Sequence, residues 1–187
     1  ALEELTAYQL GLVKIKAQLS MRSAPSLIPD QRQMDAFHRQ LGFQLTAAQA
    51  RVIEEIFQGL GSKTPMLRLV QGDVGSGKTV VAAFSALVAI TSGQQVALMA
   101  PTEILAAQHH QTFEQWLQPL GMVPRLITGS LKASVRKAHL DALNRGETEM
   151  VIGTHALFQE GVEFSRLGLI IIDEQHRFGV HQRMALR

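Results

Sequence analysis

The chain has 187 residues, of which 46% are hydrophobic and 18% charged, and its formal net charge is +2. This composition is that of a globular protein that can bury a core, and the absence of cysteine excludes disulfides and thiolate zinc sites. No apolar run reaches the roughly eighteen residues that a membrane-spanning helix needs. The slightly basic balance permits nucleic acid as a partner without requiring it.

The N-terminal region is predicted to be helical. Apolar residues recur at roughly helical spacing over residues 2–22, and a segment containing Pro25 and Pro29 ends that pattern. Asp30 is expected to cap a second helix over residues 31–41. These pieces are interpreted as a linker or packed extension.

We therefore divide the chain into residues 1–42, a helical linker or extension, and residues 43–187, the domain that carries the chemistry. The chain begins at Ala1 and stops at Arg187 without a tail-like composition. We expect it to be a piece of a longer protein.

From residue 43 onwards, predicted helices and strands alternate. Thr46 and Gln49 have the spacing of a capping box at the start of a helix. Further helices are predicted over residues 78–92, 103–117 and 133–144. Strands are predicted over residues 66–70, 96–100, 125–128, 150–153 and 169–173. This rhythm is typical of an α/β fold with a mostly parallel sheet covered by helices on both faces.

A glycine-rich turn between a predicted strand and a predicted helix fits G-x-x-x-x-G-K-[ST]. Its residues are Gly72, Asp73, Val74, Gly75, Ser76, Gly77, Lys78 and Thr79. Glycines let backbone N–H groups approach an anion, and the following helix adds its positive dipole end. Lys78 is expected to bind the β- and γ-phosphates of a nucleotide, and the Thr79 hydroxyl to bind magnesium. The alternative is an ordinary strand-to-helix turn.

Two adjacent carboxylates follow the apolar run Leu169 to Ile172. They stand at the C-terminal end of a predicted central strand, where ligands bind in open α/β sheets. We expect Asp173 to hold magnesium, directly or through water. Glu174 is expected to orient and deprotonate the water that attacks the γ-phosphate. The alternative is that both residues merely cap a loop.

The other predicted strand ends carry small hydroxyl residues and free N–H groups. The candidate residues are Pro101, Thr102, Thr128, Gly129, Ser130, Gly153 and Thr154. Each site alone is typical of a helix cap. Together, beside a nucleotide site, they suggest a track for one nucleic-acid strand, because such groups make most protein contacts to phosphate. His109 and His110 point in different directions on a helix, so no metal site beyond magnesium is predicted.

Taken together, these motifs resemble those of the superfamily 2 helicases of the DExH type. Residues 71–79 look like their motif I, and Asp-Glu-Gln-His at 173–176 looks like motif II. A closer resemblance, to the bacterial branch-migration helicases, comes from residues 68–73, 99–106, 153–158 and 176–180. It covers about Phe43 to the end of the chain, and it implies that the extension over residues 1–42 leads from an upstream domain. It implies a P-loop NTPase domain of the RecA-like type, the first of the two in an ATP-dependent DNA helicase.

The resemblance assigns further roles. Thr46 and Gln49 match a motif in which the glutamine contacts adenine. The three strand ends match motifs that contact DNA, and His176 matches a residue that couples the nucleotide site to DNA. ATP and Mg²⁺ are the implied cofactors. The implied partner is branched DNA, both replication forks and Holliday junctions, in recombination and repair. The bacterial cytoplasm at the nucleoid, with no membrane, is the implied location.

The chain departs from this family by ending before motif III. The second RecA-like domain, which carries an arginine finger, and an N-terminal wedge domain are therefore expected partners within a longer parent. We expect this chain alone to bind ATP weakly and hydrolyse it poorly. Alternatives are a transcription-repair coupling translocase, an RNA-directed DExH ATPase, a non-catalytic binding module, and a P-loop ATPase unrelated to nucleic acid.

Overall fold

The computed structural model describes residues 22–73, 75–159 and 161–174. The helix predicted over residues 2–22 lies outside these ranges except for its last residue, and so do Val74 and His176. No helix within the described ranges is both long and apolar enough to cross a membrane.

Among the described residues, four helices have the bounds that the sequence predicted, to within one residue, and a fifth begins after Thr46, as its capping box predicted. They are α1 (Gln31–Gln40), α2 (Ala47–Leu60), α3 (Lys78–Thr91), α4 (Glu103–Leu117) and α5 (Ala133–Asn144). Short 3₁₀ turns cover Gln118–Leu120 and His155–Phe158. Helix starts follow their capping residues: the Asp30 carboxylate, for example, accepts hydrogen bonds from the N–H groups of Arg32 and Gln33.

The strands form one parallel sheet. They are β1 (Gln95–Met99), β2 (Arg125–Ile127), β3 (Met150–Gly153) and β4 (Leu167–Ile172), in the order β2-β3-β1-β4. Val96 of β1 is aligned with Met150 of β3 and with Leu169 of β4. All four strands therefore end at the same edge of the sheet, which confirms the predicted α/β class.

The prediction of a strand over residues 66–70 is wrong, because this segment has no regular structure. The Leu67 and Leu69 side chains are 70% and 69% exposed, whereas Met66 and Val70 pack against the core. A strand needs a neighbouring backbone to complete its hydrogen bonds. Among the described residues the sheet consists of β1–β4, with β4 at its edge, and this segment pairs with none of these strands. The apolar residues of this segment predicted a strand, but the segment does not pair with any strand of the sheet.

Helices cover both faces of the sheet. On one face, Val96 and Ile152 belong to a hydrophobic cluster that includes residues of α1, α2, α3 and α4. On the other face, Ala97 and Val151 pack with Leu143 of α5 and its neighbours. The alternation along β1 and β3 thus places successive side chains in different layers, as predicted for strands buried on both faces.

Helix α1 packs into the same core as the sheet. The Phe37 ring is fully buried and meets Phe84 edge-on, with ring centroids 4.8 Å apart. The Gln40 amide Nε2 donates to the backbone oxygen of Trp116 over 3.1 Å. The described part of residues 1–42 is therefore a packed extension, while the domain boundary at residues 42 and 43 stays a prediction.

Candidate nucleotide site and neighbouring strand ends

The glycine-rich turn adopts a conformation that requires glycine. Gly75 and Gly77 have φ values of +82° and +78°, in the left-handed region. A Cβ at Gly77 would lie 2.2 Å from Nε2 of Gln49, and one at Gly72 would lie 2.6 Å from Oγ of Ser76. Gly77 is also the N-cap residue of α3, and no side chain caps this helix start. Its N–H groups are therefore suited to an anion.

Lys78 directs its ammonium group into the turn. Nζ donates to the backbone oxygens of Gly72 and Asp73 over 2.7 Å and 2.8 Å, and lies 3.5 Å from Oγ of Ser76. Thr79 follows directly in the first turn of α3. The geometry thus concentrates a cation, a helix N-terminus and a hydroxyl residue in one short segment.

Gln49 connects the start of α2 to this turn. Its Oε1 accepts from the N–H of Thr46 over 2.8 Å, while its own N–H donates to Thr46 Oγ1 over 3.2 Å. This reciprocal pair confirms the predicted capping box. In addition, Gln49 Nε2 donates to the backbone oxygen of Ser76 over 2.9 Å. The amide therefore serves both the helix cap and the turn, and its contact with adenine stays a prediction.

Asp173 extends the line of β4 towards the turn. Its N–H donates to the backbone oxygen of Met99 over 2.9 Å, and its Oδ2 lies 2.7 Å from Nε2 of His109. The pKa of Asp173 is below its ordinary value, mainly because His109 hydrogen-bonds the carboxylate, with a smaller effect from the charge of Lys78. Asp173 is therefore ionised at neutral pH, and it lies close enough to Lys78 for the charge of the lysine to stabilise its ionised form.

Glu174 occupies a strained backbone conformation. Its φ is +48°, and it is the one non-glycine residue with positive φ in the part of the chain that the structure describes. For a residue with a Cβ this conformation costs about 1–3 kcal/mol, and such strain clusters at functional sites. The strain occurs where β4 ends, at the second of the two predicted acidic residues.

The ends of β1 and β2 are connected through Glu103. The Thr102 hydroxyl caps α4 by accepting from the N–H of Leu105 over 3.2 Å. The next residue, Glu103, accepts from the N–H of Ser130 over 3.2 Å. Hydrogen bonds from Ser130, and to a lesser extent from Gly129, lower the pKa of the Glu103 carboxyl. A carboxylate here occupies N–H groups of the kind that bind phosphate.

Comparison with known proteins identifies the family. The model of the DEAD/DEAH box helicase family matches residues 46–186. The chain belongs to the DEAD/DEAH box helicase family. The matched segment contains the glycine-rich turn, Asp173 and Glu174.

Within this helicase family, the chain is similar to proteins named ATP-dependent DNA helicase RecG. It is 53% identical to RecG of Haemophilus influenzae and 50% identical to RecG of Escherichia coli K12, each over 185 residues. A solved structure of RecG bound to a three-way DNA junction superposes with a TM-score of 0.87 at 41% identity, covering 95% of this chain and 24% of that one. These matches confirm the resemblance to branch-migration helicases and the fold. Since 99% of this chain aligns with 27% of each RecG sequence, it spans about a quarter of their length.

The structure divides the candidate nucleic-acid residues of this helicase domain into two groups. Thr102, Gly129 and Ser130 are exposed, whereas Thr128 and Thr154 are only 3% and 6% exposed. The Thr128 hydroxyl lies 3.1 Å from that of Ser130, so it positions its exposed neighbour. The side chains of Thr128 and Thr154 are therefore buried, and the contact of these strand ends with a nucleic-acid strand stays a prediction.

Gly153 also has a packing role. A Cβ at this position would lie 2.1 Å from the backbone oxygen of Ile127 on the adjacent strand. Glycine is thus needed for the close approach of β3 and β2, whatever it contacts in addition. Pro101 is partly exposed beside Thr102, so these two remain candidates for a surface contact.

Sequence reasoning missed two residues of this site, His109 and Glu103. Adjacent histidines on a helix make a poor metal pair, yet one of these two, His109, hydrogen-bonds Asp173 at the end of β4. The available signal was its position on the helix that follows a candidate strand end. Which face of that helix meets β4 depends on the sheet order, and sequence does not give that order.

Proposed function

We propose that this chain is the ATP-binding motor domain of an ATP-dependent DNA helicase that remodels branched DNA. Its tasks would be fork reversal and branch migration of Holliday junctions, in recombination and repair. The observation that carries the proposal is the Lys78 turn, which has its cation at an uncapped helix start and lies close enough to Asp173, at the end of β4, to lower the pKa of that carboxyl. Support for the substrate comes from the similarity to RecG, one structure of which is bound to a three-way junction.

The residues present fit ATP and Mg²⁺. Backbone N–H groups around Gly75 and Gly77, at an uncapped helix start, suit the phosphates. The Thr79 hydroxyl and the ionised Asp173 carboxylate are the oxygen ligands that magnesium prefers. When bound, magnesium neutralises charge on the phosphate oxygens. Among the described residues no group of three histidine or acidic side chains forms a metal site by itself, so phosphate oxygens and water would complete the shell.

Each polar residue then has a distinct task. Lys78, which now donates to the carbonyls of Gly72 and Asp73, would donate to phosphate oxygens, which are stronger acceptors because they are charged. Glu174 would orient the attacking water and accept its proton. Gln49 would keep the turn in place and contact adenine, and His176 would couple this site to DNA.

The exposed residues at the strand ends would contact the nucleic-acid backbone. Thr102 and Ser130 would offer their hydroxyls, and Gly129 and Ser130 would offer N–H groups in place of their present hydrogen bonds to Glu103, since such groups bind phosphate without reading sequence. A second RecA-like domain supplying an arginine, and a wedge domain that engages the junction, would act with this one in the bacterial cytoplasm at the nucleoid. Without them, the 187-residue chain would hydrolyse ATP poorly.

The proposal is tested by strand separation with the full-length protein. We expect ATP-dependent unwinding of a synthetic Holliday junction and a fork, with little action on linear duplex or RNA. Glu174→Gln should bind ATP but unwind nothing, whereas Lys63→Ala, a substitution at an exposed residue away from the turn, should unwind normally. Activity on RNA in preference to DNA would contradict the proposal, as would normal unwinding by Glu174→Gln.

A further inference from the structure

Helix α4 contacts the acidic end of β4 through one side chain. His109 Nε2 and Asp173 Oδ2 are 2.7 Å apart, and their side chains are 17% and 31% exposed. An ionised carboxylate only accepts hydrogen bonds, so the imidazole donates through Nε2. The bond therefore fixes one oxygen of Asp173 and leaves the second, Oδ1, as the oxygen suited to a metal.

The same helix is fixed at two further points. At its first residue, Glu103 accepts from Ser130 in the loop after β2. On the adjacent side, His110 Nε2 hydrogen-bonds the backbone oxygen of Pro124 just before β2, over 3.0 Å. Helix α4 thus connects the candidate nucleic-acid residue Ser130, through Glu103, with Asp173, through His109.

We propose that His109 is a positioning residue for Asp173, which holds the carboxylate in the orientation that magnesium requires and ties that orientation to α4. The inference rests on the proposed function, since it assumes that Asp173 is a magnesium ligand. Hydrogen bonds to a metal-binding carboxylate fix its orientation, and their loss typically lowers metal affinity by about 10–100-fold. If His109 only filled space in the packing, the distance from its backbone to its donor nitrogen would not affect magnesium binding.

The distance of the donor nitrogen from the backbone provides a test, because two amide side chains differ in this distance. In His109→Gln the amide nitrogen can occupy the place of Nε2, whereas in His109→Asn the same amide is one methylene too short. Both variants are polar and similar in size, so their stabilities should be close. His110→Asn is the matched control, because it removes a neighbouring imidazole whose partner is a backbone oxygen rather than Asp173.

The measurement is binding of a fluorescent ATP analogue by the full-length protein as Mg²⁺ is titrated, with EDTA as the metal-free reference. We expect His109→Asn to need about 10–100-fold more Mg²⁺ for half-maximal binding. His109→Gln and His110→Asn should stay near the wild-type value. In EDTA all variants should bind alike, because the glycine-rich turn is unchanged.

Equal Mg²⁺ dependence of His109→Asn and His109→Gln would overturn the inference, whether both are normal or both impaired. So would a loss in His110→Asn as large as that in His109→Asn, since this would mean general damage to α4. Failure of the proposed function looks different: the wild-type protein itself would show no Mg²⁺-dependent binding of the analogue.

Discussion

The Nε2 of Gln49 donates to the backbone oxygen of Ser76 over 2.9 Å, so the first turn of α2 and the glycine-rich turn are parts of one hydrogen-bonded unit. The same amide completes the capping box with Thr46. A residue that sequence spacing marks as a helix cap therefore also positions the turn proposed to bind phosphate.

Replacing Gln49 by Glu separates these two roles. The carboxylate keeps an acceptor for the N–H of Thr46 but loses the donor to Ser76. The lost hydrogen bond contributes about 1 kcal/mol net to the ATP-free protein, so Tm should fall slightly, and the turn that it no longer holds should bind ATP more weakly. Equilibrium binding and thermal unfolding measure the two effects. Unchanged ATP binding would show that the Gln49 bond to the turn has no functional role.

Gly77→Ala should abolish ATP binding. The substitution places a Cβ on a residue with φ of +78° and within 2.2 Å of Gln49 Nε2, so the turn must change shape. Gly93→Ala is the matched control, because its φ is +77° but nothing lies within 4 Å of the added Cβ. The control should lose about 1–2 kcal/mol of stability from backbone strain and bind ATP normally. Normal binding by Gly77→Ala would contradict the required geometry.

The Glu103 carboxylate predicts a pH-dependent contribution to stability. Hydrogen bonds from Ser130 lower the pKa of Glu103, so its charged form is favoured in the folded state. That contribution is present above the unfolded pKa of about 4.3 and is lost as pH falls through the lower folded pKa. The difference in Tm between wild type and Glu103→Gln should therefore be largest above about pH 5 and shrink towards pH 3. A constant difference across this range would show that the charge of Glu103 is irrelevant.

Coupling through α4 predicts that DNA alters the magnesium requirement. Forked DNA should lower the Mg²⁺ concentration for half-maximal binding of the ATP analogue to the wild-type full-length protein. It should have less effect on His109→Asn, because the connection to Asp173 is broken. Coupling free energies of this kind are typically 1–3 kcal/mol, or about 5- to 150-fold. An equal shift in both proteins would mean that DNA and metal communicate by another route.

Local signals in the sequence predicted most of the fold. Capping residues such as Asp30 and Thr102 fixed helix starts, because they satisfy N–H groups within a few residues of themselves. The glycine-rich turn was equally local. The prediction of a strand over residues 66–70 was wrong, because a strand depends on a pairing partner that is often distant in sequence, and among the described residues this segment pairs with no strand.

Contacts between elements were not predictable in the same way. The bond between His109 and Asp173 joins residues 64 positions apart and depends on the sheet order. The burial of Thr128 and Thr154 likewise depends on which layers cover the strand ends. The sequence motifs indicated which residues were candidates for the site, whereas tertiary packing determines which of them face solvent.

The most direct test of the central claim is ATP hydrolysis by the full-length protein with and without forked DNA, beside Lys78→Ala. We expect turnover that rises when forked DNA is added, and none in the variant, which loses the cation proposed to bind the phosphates. Absence of DNA-stimulated turnover in the wild type would contradict the assignment as a DNA-dependent motor domain. Normal turnover by Lys78→Ala would contradict the assignment of the nucleotide site.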